Sequence, residues 1–203
     1  YYKSSENRVM NDSKAKILKA ASELFADSGA AGLSVRAISK RAGLSTIGIY
    51  NHFSGKQGLL DALYIEGFEL VRSTVEDARP DLSPRDAVLV GLSNYIDFAV
   101  THRPHYDLIF GASDPSYTPS SVATQAGEKA FDALTRLVTR AIPAALNGYQ
   151  KREAALQLWA LAHGYISLQD HEATDLIPNA AWRDLIMNAV TLHLDALIAK
   201  SAP

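Results

Sequence analysis

Apolar positions recur with the period of an α-helix along almost the whole chain. The first amphipathic stripe is formed by Ile17, Ala20, Ala21, Leu24 and Phe25, at intervals of three and four residues. Asn11, Asp12 and Ser13 offer N-caps before this stripe, and Gly29 follows it as a stop signal. The pattern therefore predicts a first helix that ends at Gly29.

Two short helices follow, joined by a tight turn at Gly43. Ser34 is the N-cap candidate of the first helix, and Ser45 is that of the second. Ile49 and Phe53 lie four residues apart, so both face inward from the second helix. Three helices thus fit within about 45 residues, the last two in helix–turn–helix order.

The rest of the chain continues with the helical period. Ser54 and Gln57 have the spacing of a capping box, which predicts that a long helix begins there. Helices are predicted over 57–78, from Ser83–Pro84 to Arg103–Pro104, around 105–110, up to Pro143, over 153–169 and over 182–198, with a loop at 111–121. No segment of useful length alternates with the period of a strand, so the predicted fold class is all-α.

Charge is distributed unevenly along the chain, although the formal total is only −2. The first 60 residues hold nine basic and four acidic side chains, a net charge of +5, whereas the other 143 hold 11 basic and 18 acidic ones, or −7. A basic head on an acidic body indicates two modules with different partners, the head being suited to nucleic acid. Uneven decoration of a single surface is the alternative.

Composition excludes several classes of protein. The 203 residues are 47% hydrophobic and 21% charged, as in globular domains, and contain no cysteine. The lack of cysteine excludes disulfides, thiolate zinc sites and a cysteine nucleophile, and it fits a cytoplasmic protein. No apolar run is long enough for a membrane span, and no signal peptide is evident. We expect no membrane partner.

The segment 33–60 carries the most specific chemistry. Residues predicted to face outward from the start of the third helix are Ser45, Thr46, Ile47, Gly48, Tyr50 and Asn51. Lys56 lies in the first turn of the next helix, where its positive charge is unfavourable for the helix dipole. An anion such as a DNA phosphate, bound between Lys56 and the helix N–H groups, would make this position favourable. Tyr50 and His52 can donate hydrogen bonds to the sugar–phosphate backbone of the same DNA. Arg36 is a candidate for a guanine or phosphate contact. Alternatively, Tyr50 and His52 cover a small core and Lys56 is simply solvated.

These residues resemble the N-terminal DNA-binding domain of the TetR (tetracycline-repressor) family of bacterial transcriptional regulators. The matching positions are Ala20–Ala21, Leu24–Phe25, Gly29, Ser34, Arg36, Ile38, Ala42–Gly43, Ser45, Tyr50, His52–Phe53, Lys56 and Leu59–Leu60. The resemblance implies that Tyr50, His52 and Lys56 contact phosphates. It also implies that Arg36, Ser45, Thr46 and Gly48 lie near base edges. Ile47, Gly48 and Asn51 depart from residues frequent in the family, which leaves the operator sequence open.

The resemblance also implies an architecture. Residues 10–56 would form the helix–turn–helix DNA-binding domain, and 57–203 a regulatory domain that binds a small-molecule effector and dimerises. Helices 153–169 and 182–198 carry more apolar surface than one stripe buries, which favours a homodimer through them. A two-fold dimer places two recognition helices about 34–36 Å apart on a palindromic operator in double-stranded DNA. The "WALAHG" segment at 159–164 resembles a subgroup of the family's C-terminal domains.

An effector pocket is predicted from aromatic and histidine residues of the larger domain. The candidates are Tyr95, Phe98, His102, Tyr106, Phe131, Trp159 and His163, although aromatics at helical spacing are more often core residues. No metal or cofactor is predicted, because His102 and His105 have no suitably spaced acidic partner. No catalytic motif is evident, so we predict a regulator rather than an enzyme. A helical ligand-binding or partner-binding protein without specific DNA recognition is the alternative function.

Overall fold

The computed structural model describes residues 2–76, 81–110, 117–169, 171–174 and 177–199, with side chains for all of these except 2–11 and 173. All regular structure within these ranges is helical. The α-helices are α1 (Tyr2–Gly32), α2 (Val35–Ala42), α3 (Thr46–Phe53), α4 (Lys56–Glu76), α5 (Pro84–Thr101), α6 (Arg103–Ile109), α7 (Ser121–Thr139), α8 (Gly148–Leu168) and α9 (Trp182–Ala199). Short 3-10 turns occupy Glu172–Thr174 and Asn179–Ala181. The predicted all-α fold class is confirmed.

The predicted caps of the two short helices are present. The backbone N–H of Ala37 donates to Ser34 Oγ over 3.1 Å, and that of Gly48 donates to Ser45 Oγ over 3.2 Å. Gly43 ends α2 in the left-handed conformation, with φ of 67°. Each cap satisfies an N–H or C=O that a helix end would otherwise leave unpaired. The helix–turn–helix therefore has the local geometry that its sequence predicts.

The predicted beginning of the first helix is wrong, whereas the predicted break at Gly29 is present. Helix α1 begins at Tyr2, so residues 11–13 lie within it and do not cap it. Gly29 has a non-helical φ of 60° and ψ of −160°, so the first helical run ends there. A short second run continues across this kink as far as Gly32.

The predicted capping box at the start of α4 is also wrong. Ser54 closes α3 in a left-handed conformation, and Gly55 at φ 88° separates it from the first residue of α4. The predicted end of this helix at 78 lies outside the described residues, as do positions 111–116 of the predicted loop.

A capping box does occur at the start of α8. The backbone N–H of Gln150 donates to Asn147 Oδ1 over 3.0 Å, and the N–H of Asn147 donates to Gln150 Oε1 over 2.9 Å. These reciprocal bonds begin α8 at Gly148, before the predicted start at 153. The apolar stripe indicated the body of this helix, whereas its polar cap set where it begins.

The chain divides into two compact units. The first unit comprises Tyr1–Phe68 and His102–Gly127, and the second comprises Glu69–Thr101 and Glu128–Pro203. Helices α4 and α7 therefore each contribute residues to both units. The first unit includes α6, which packs against α1, and so extends beyond the predicted head at 10–56. That domain boundary remains a prediction.

The first unit has an apolar core built around α1. Its fully buried side chains include Ile17, Phe25, Ile38, Ile49, Leu59 and Leu63. Leu108 of α6 belongs to the same cluster, and Leu44 packs against its edge. Burying one such aliphatic or aromatic side chain contributes about 1.5–3 kcal/mol, so this core fixes the orientation of the short helices α2 and α3.

In the second unit, α5, α8 and α9 pack on one another. Leu158 and Leu194 are fully buried between them. Arg85 of α5 forms an ion pair with Asp195 of α9, with Nε 2.5 Å from Oδ1. Among the described helices, none has an 18-residue stretch apolar enough to cross a membrane.

Candidate nucleic-acid interface

Helix α3 has one buried face and one exposed face. Ile49 is fully buried and Phe53 nearly so, whereas Ile47 is 69% exposed and Tyr50 58% exposed. An apolar isoleucine that the core does not need is available to a partner. The structure thus places Ile47 and Tyr50 on the outer face, as the sequence predicts.

The other predicted DNA contacts are also accessible. Those with exposed side chains are Arg36, Ser45, Thr46, Asn51 and Lys56, while Gly48 and His52 are half-buried. Eight of the nine predicted contacts lie between residues 45 and 56, along α3 and the start of α4, and Arg36 lies in the first turn of α2. Their individual roles in DNA binding remain predictions.

Part of the positive charge of the head is used within the first unit. Arg41 forms ion pairs with Glu23 at 3.3 Å and Asp27 at 3.4 Å, which link α2 to α1. Lys16 pairs with Asp12 at 2.9 Å. Exposed pairs of this kind are each worth about 0–1 kcal/mol. Neither Arg41 nor Lys16 was predicted to contact DNA.

The junction between α3 and α4 depends on close backbone approach. A Cβ atom at Gly58 would lie 1.6 Å from the carbonyl oxygen of Phe53, which no side chain can accommodate. Ser54 and Gly55 both have positive φ, so the chain reverses tightly between the two helices. This turn brings Lys56 into the first turn of α4 directly after α3 ends. No local pattern in the sequence predicts the requirement for glycine at position 58.

Asp61 of α4 binds the segment that precedes α7. The hydroxyl of Tyr117 donates to Asp61 Oδ1 over 2.7 Å, and the backbone N–H of Ser120 donates to the same oxygen over 3.1 Å. Burial alone would raise the pKa of Asp61, but hydrogen bonds from Ser120 and Tyr117 bring it below its usual value. Burial and the neighbouring carboxylate raise the pKa of Tyr117. No local pattern in the sequence predicts this pair, since its partners lie 56 residues apart.

A second polar cluster joins α1, α4 and α6. Ser22 donates from Oγ to Glu66 Oε2 over 2.9 Å, and His105 Nε2 lies 3.3 Å from the same oxygen. Burial would raise the pKa of Glu66, but the hydrogen bonds from His105 and Ser22 lower it overall. His105 is only 3% exposed, packs edge-on to Phe25, and has no hydrogen-bond partner for Nδ1 among the described residues.

Five of the seven predicted pocket residues form one cluster in the second unit. Trp159 Nε1 donates to Tyr95 Oη over 3.1 Å, and the Tyr95 and Phe98 rings stack at 6.4 Å. The Trp159 ring lies 5.8 Å from that of Phe131 and 6.5 Å from that of His163. Burial lowers the pKa of His163. These rings therefore pack together, as both the pocket prediction and its core alternative require.

The other two predicted pocket residues, His102 and Tyr106, belong to the first unit. Tyr106 is buried against Phe110, with ring centroids 4.8 Å apart, whereas His102 is exposed. The first unit also contains a groove of about 790 Å³ that none of the seven residues lines. Within the described ranges, no group of three His, Asp or Glu residues is placed to bind a metal ion.

Sequence comparison identifies two family domains in this chain. Residues 17–63 match "Bacterial regulatory proteins, tetR family", and residues 91–189 match "Tetracyclin repressor-like, C-terminal domain". Together the two matches cover most of the chain. The chain belongs to the TetR family. Members of this family are DNA-binding transcriptional regulators, which typically are not enzymes, and they dimerise and bind small-molecule effectors.

Individual TetR relatives are regulators with helix–turn–helix domains. The HTH-type transcriptional regulator Rv1816 of Mycobacterium tuberculosis is 31% identical over 129 residues, covering 60% of this chain and 55% of the relative. The chain therefore spans about half the length of the first curated relatives it matches. The HTH-type transcriptional activator FasR of Mycolicibacterium smegmatis is 30% identical over 161 residues, covering 77% of this chain and 72% of FasR.

Solved structures show the same TetR fold over nearly the full length. A protein from Rhodococcus sp. RHA1 superimposes with a TM-score of 0.72 at 26% identity, covering 92% of this chain and 95% of the other. The TetR regulator SCO7222 of Streptomyces coelicolor does so with a TM-score of 0.67 at 24% identity, covering 93% and 98%. These likenesses support the arrangement of an N-terminal helix–turn–helix domain followed by a helical C-terminal domain.

Proposed function

We propose that this chain is a homodimeric DNA-binding repressor that reads a palindromic operator with α3 and leaves it when a small-molecule effector binds. The observation that carries the proposal is the two-faced α3, in which Ile49 and Phe53 are buried while Ile47 and Tyr50 are exposed. A recognition helix needs one face for the core and one for the major groove. Arg36, His52 and Lys56 flank that outer face with donors suited to phosphate or guanine.

Dimerisation is proposed through α8 and α9, which correspond to the predicted helices 153–169 and 182–198. Leu156 and Leu168 of α8 and Leu192 of α9 have exposed side chains. The next residue of α9, His193, is half-buried and contacts α8 of the same chain, with Nε2 3.0 Å from Gln157 Oε1. An isologous interface that covers the leucines would place two copies of α3 for two half-sites.

The effector site is proposed at the cluster of Tyr95, Phe98, Phe131, Trp159 and His163 in the second unit. These side chains offer aromatic surface, an indole N–H and an imidazole, which suit a ligand with an apolar body and one polar anchor. A ligand that separates the rings must replace the Trp159–Tyr95 hydrogen bond. Repression is proposed because effector-mediated repression is typical of the TetR family. FasR is a transcriptional activator, so a reporter assay must distinguish repression from activation.

The test begins with selection of a duplex by the wild-type dimer from a random library of about 30 base pairs, long enough for two half-sites one helical turn apart. The affinity for this selected duplex and for a scrambled duplex is then measured as a function of salt concentration. Lys56→Ala should weaken binding to both duplexes and reduce the salt slope by about two units, because each subunit loses one phosphate contact. Tyr50→Ala should weaken binding to both duplexes.

Lys129→Ala is the matched control, since Lys129 is an exposed lysine of α7 in the second unit. It should leave the affinity and the salt slope unchanged. If no duplex is enriched, the chain is a helical ligand-binding or partner-binding protein without specific DNA recognition. If Lys56→Ala binds as wild type does, Lys56 does not contact a phosphate. In a reporter strain, the selected duplex placed over a promoter should lower transcription when the chain is expressed, and increased transcription would contradict repression.

A further inference from the structure

Five residues of the first unit form a hydrogen-bonded cluster beside the proposed phosphate contact. This Asp61 cluster consists of Gln57 and Asp61 on α4 together with Tyr117, Thr118 and Ser120 of the segment before α7. The side-chain amide of Gln57 donates to the carbonyl oxygen of Thr118 over 3.0 Å. Tyr117 and Ser120 both donate to Asp61 Oδ1. The cluster thus binds the first two turns of α4 at two points.

The segment itself is fixed at both ends. The ring of Tyr117 lies 5.7 Å from the ring of Tyr64, one turn after Asp61 on α4, and packs at the edge of the core. Ser120 caps α7, because its Oγ accepts from the backbone N–H of Ala123 over 3.2 Å and its carbonyl accepts from that of Thr124 over 2.9 Å. The cluster therefore connects the start of α7 directly to the start of α4.

The cluster lies next to Lys56, the residue proposed above to contact a phosphate. Lys56 immediately precedes Gln57, in the turn of α4 that follows the recognition helix. A lysine side chain is flexible, so it binds a phosphate more tightly when the main chain that carries it is already fixed. A mobile main chain would have to be ordered on binding, which costs conformational entropy. The close packing of Gly58 against Phe53 fixes this turn from the α3 side, and the Asp61 cluster fixes it from the side of α7.

We propose that Tyr117 and Asp61 are positioning residues for DNA binding, which hold the first turns of α4 so that Lys56 reaches the phosphate backbone. Neither residue needs to contact DNA. Helix α7 begins at this cluster and contributes residues to both units. The inference rests on the DNA-binding role proposed above.

The test is a double-mutant cycle between Tyr117 and Lys56, using the selected and scrambled duplexes. Tyr117→Phe keeps the ring against Tyr64 and removes only the hydroxyl that donates to Asp61. It should reduce affinity for both duplexes about three- to tenfold, an effect of the size expected for the loss of one ordinary hydrogen bond. On the Lys56→Ala background the same change should alter affinity less than about twofold, because the contact that it positions is already absent.

Further variants separate positioning from general stability. Asp61→Ala and Gln57→Ala should also lose affinity in the wild-type background and lose little in the Lys56→Ala background. Tyr149→Phe, the same chemical change at an exposed tyrosine of α8, should have no effect in either background. The melting temperature of each variant is measured alongside, with binding assayed well below it.

Three outcomes would decide the matter. Coupling of Tyr117→Phe to Lys56→Ala supports the inference. An equal loss in both backgrounds would overturn it, because that result shows a structural role that does not act through Lys56. Wild-type affinity of Tyr117→Phe, with the Lys56→Ala loss intact, would also overturn it while leaving the proposed function standing. If Lys56→Ala itself has no effect, the DNA-binding role proposed for Lys56 fails first.

Discussion

At the scale of single residues, Ile47 shows how an apolar side chain can serve recognition rather than folding. It is 69% exposed, although its neighbours Ile49 and Phe53 are buried. Its side chain could cover a thymine methyl group in the major groove, which offers discrimination without charge. Lys56, by contrast, would contribute a charge that attracts any phosphate and carries no sequence information.

The contrast predicts different signatures for the two residues. Ile47→Ala should reduce affinity for the selected duplex by about tenfold or more, since in each subunit it removes three side-chain carbon atoms, each worth about 0.8 kcal/mol when buried, from an apolar contact. Binding to the scrambled duplex and the salt slope should not change, and neither should the melting temperature. Equal weakening on both duplexes would show that Ile47 does not read bases.

Gly58 predicts a stability effect at a single position. Gly58→Ala places a Cβ atom against the carbonyl oxygen of Phe53, so the backbone between α3 and α4 must move. We expect a loss of about 2–3 kcal/mol in the free energy of unfolding, measured by urea denaturation, and weaker DNA binding. Gly148→Ala is the control, because a Cβ there meets nothing, and it should change stability by less than about 0.5 kcal/mol.

At the scale of helices, the Ser22–Glu66–His105 cluster joins elements that are distant in sequence. Gly67 permits this approach, because a Cβ there would lie 2.9 Å from Ile109 Cγ2 of α6. Glu66 keeps a lowered pKa despite partial burial, because His105 and Ser22 donate to its carboxylate. The charged form of Glu66 therefore stabilises the packing of α1, α4 and α6.

This cluster predicts a pH dependence of stability. A carboxylate whose pKa is lowered by folding contributes stability above its unfolded pKa of about 4.3, and loses it as the pH falls through the folded value. At about pH 7, Glu66→Gln should be less stable by about 1 kcal/mol, allowing for solvent screening of a half-exposed group.

The measurement is urea denaturation of both proteins from about pH 7 to about pH 3, a range that spans the unfolded pKa of a glutamate. The difference between wild type and Glu66→Gln should shrink below about pH 4, since both side chains are then uncharged. Glu128→Gln, at an exposed position of α7, is the control and should differ little from wild type at either pH. A difference that stays constant over the whole range would show that the charge of Glu66 contributes nothing.

At the scale of the whole molecule, the proposed function requires two copies of the chain to act together. The exposed leucines of α8 and α9 suit a two-fold interface, in which any substitution occurs twice. Leu192 of α9 is 72% exposed, so a partner helix can cover it. Its burial in a dimer would make it intolerant of charge.

Leu192→Glu should therefore convert the dimer to monomer at micromolar concentration, because it buries unpaired carboxylates at the interface. Multi-angle light scattering measures the mass directly. The affinity of Leu192→Glu for the palindromic duplex should also fall, because the dimer is lost. Val100→Glu is the matched control at a 65% exposed valine of α5, and it should remain dimeric. A wild-type chain that is monomeric at this concentration, or a dimeric Leu192→Glu, would refute the interface.

The sequence by itself determined the all-α fold class, the caps of α2 and α3, and the outward set of residues on α3. Each of these depends on periodicity or on hydrogen bonds within a few residues, which the order of side chains records directly. The family motif extended that local information to the fold of the whole chain. The +5 charge of the first 60 residues indicated the head, although Arg41 and Lys16 proved to serve ion pairs there.

Only the tertiary structure decided which distant residues meet. It joined Asp61 to Tyr117 and Glu66 to His105, and it placed His102 and Tyr106 in a different unit from the other five pocket candidates. It also moved Ser54 from the start of α4 to the end of α3, because positive φ at Gly55 interrupts the helix. Contacts across dozens of residues depend on how helices pack in three dimensions, and no local period along the chain specifies them.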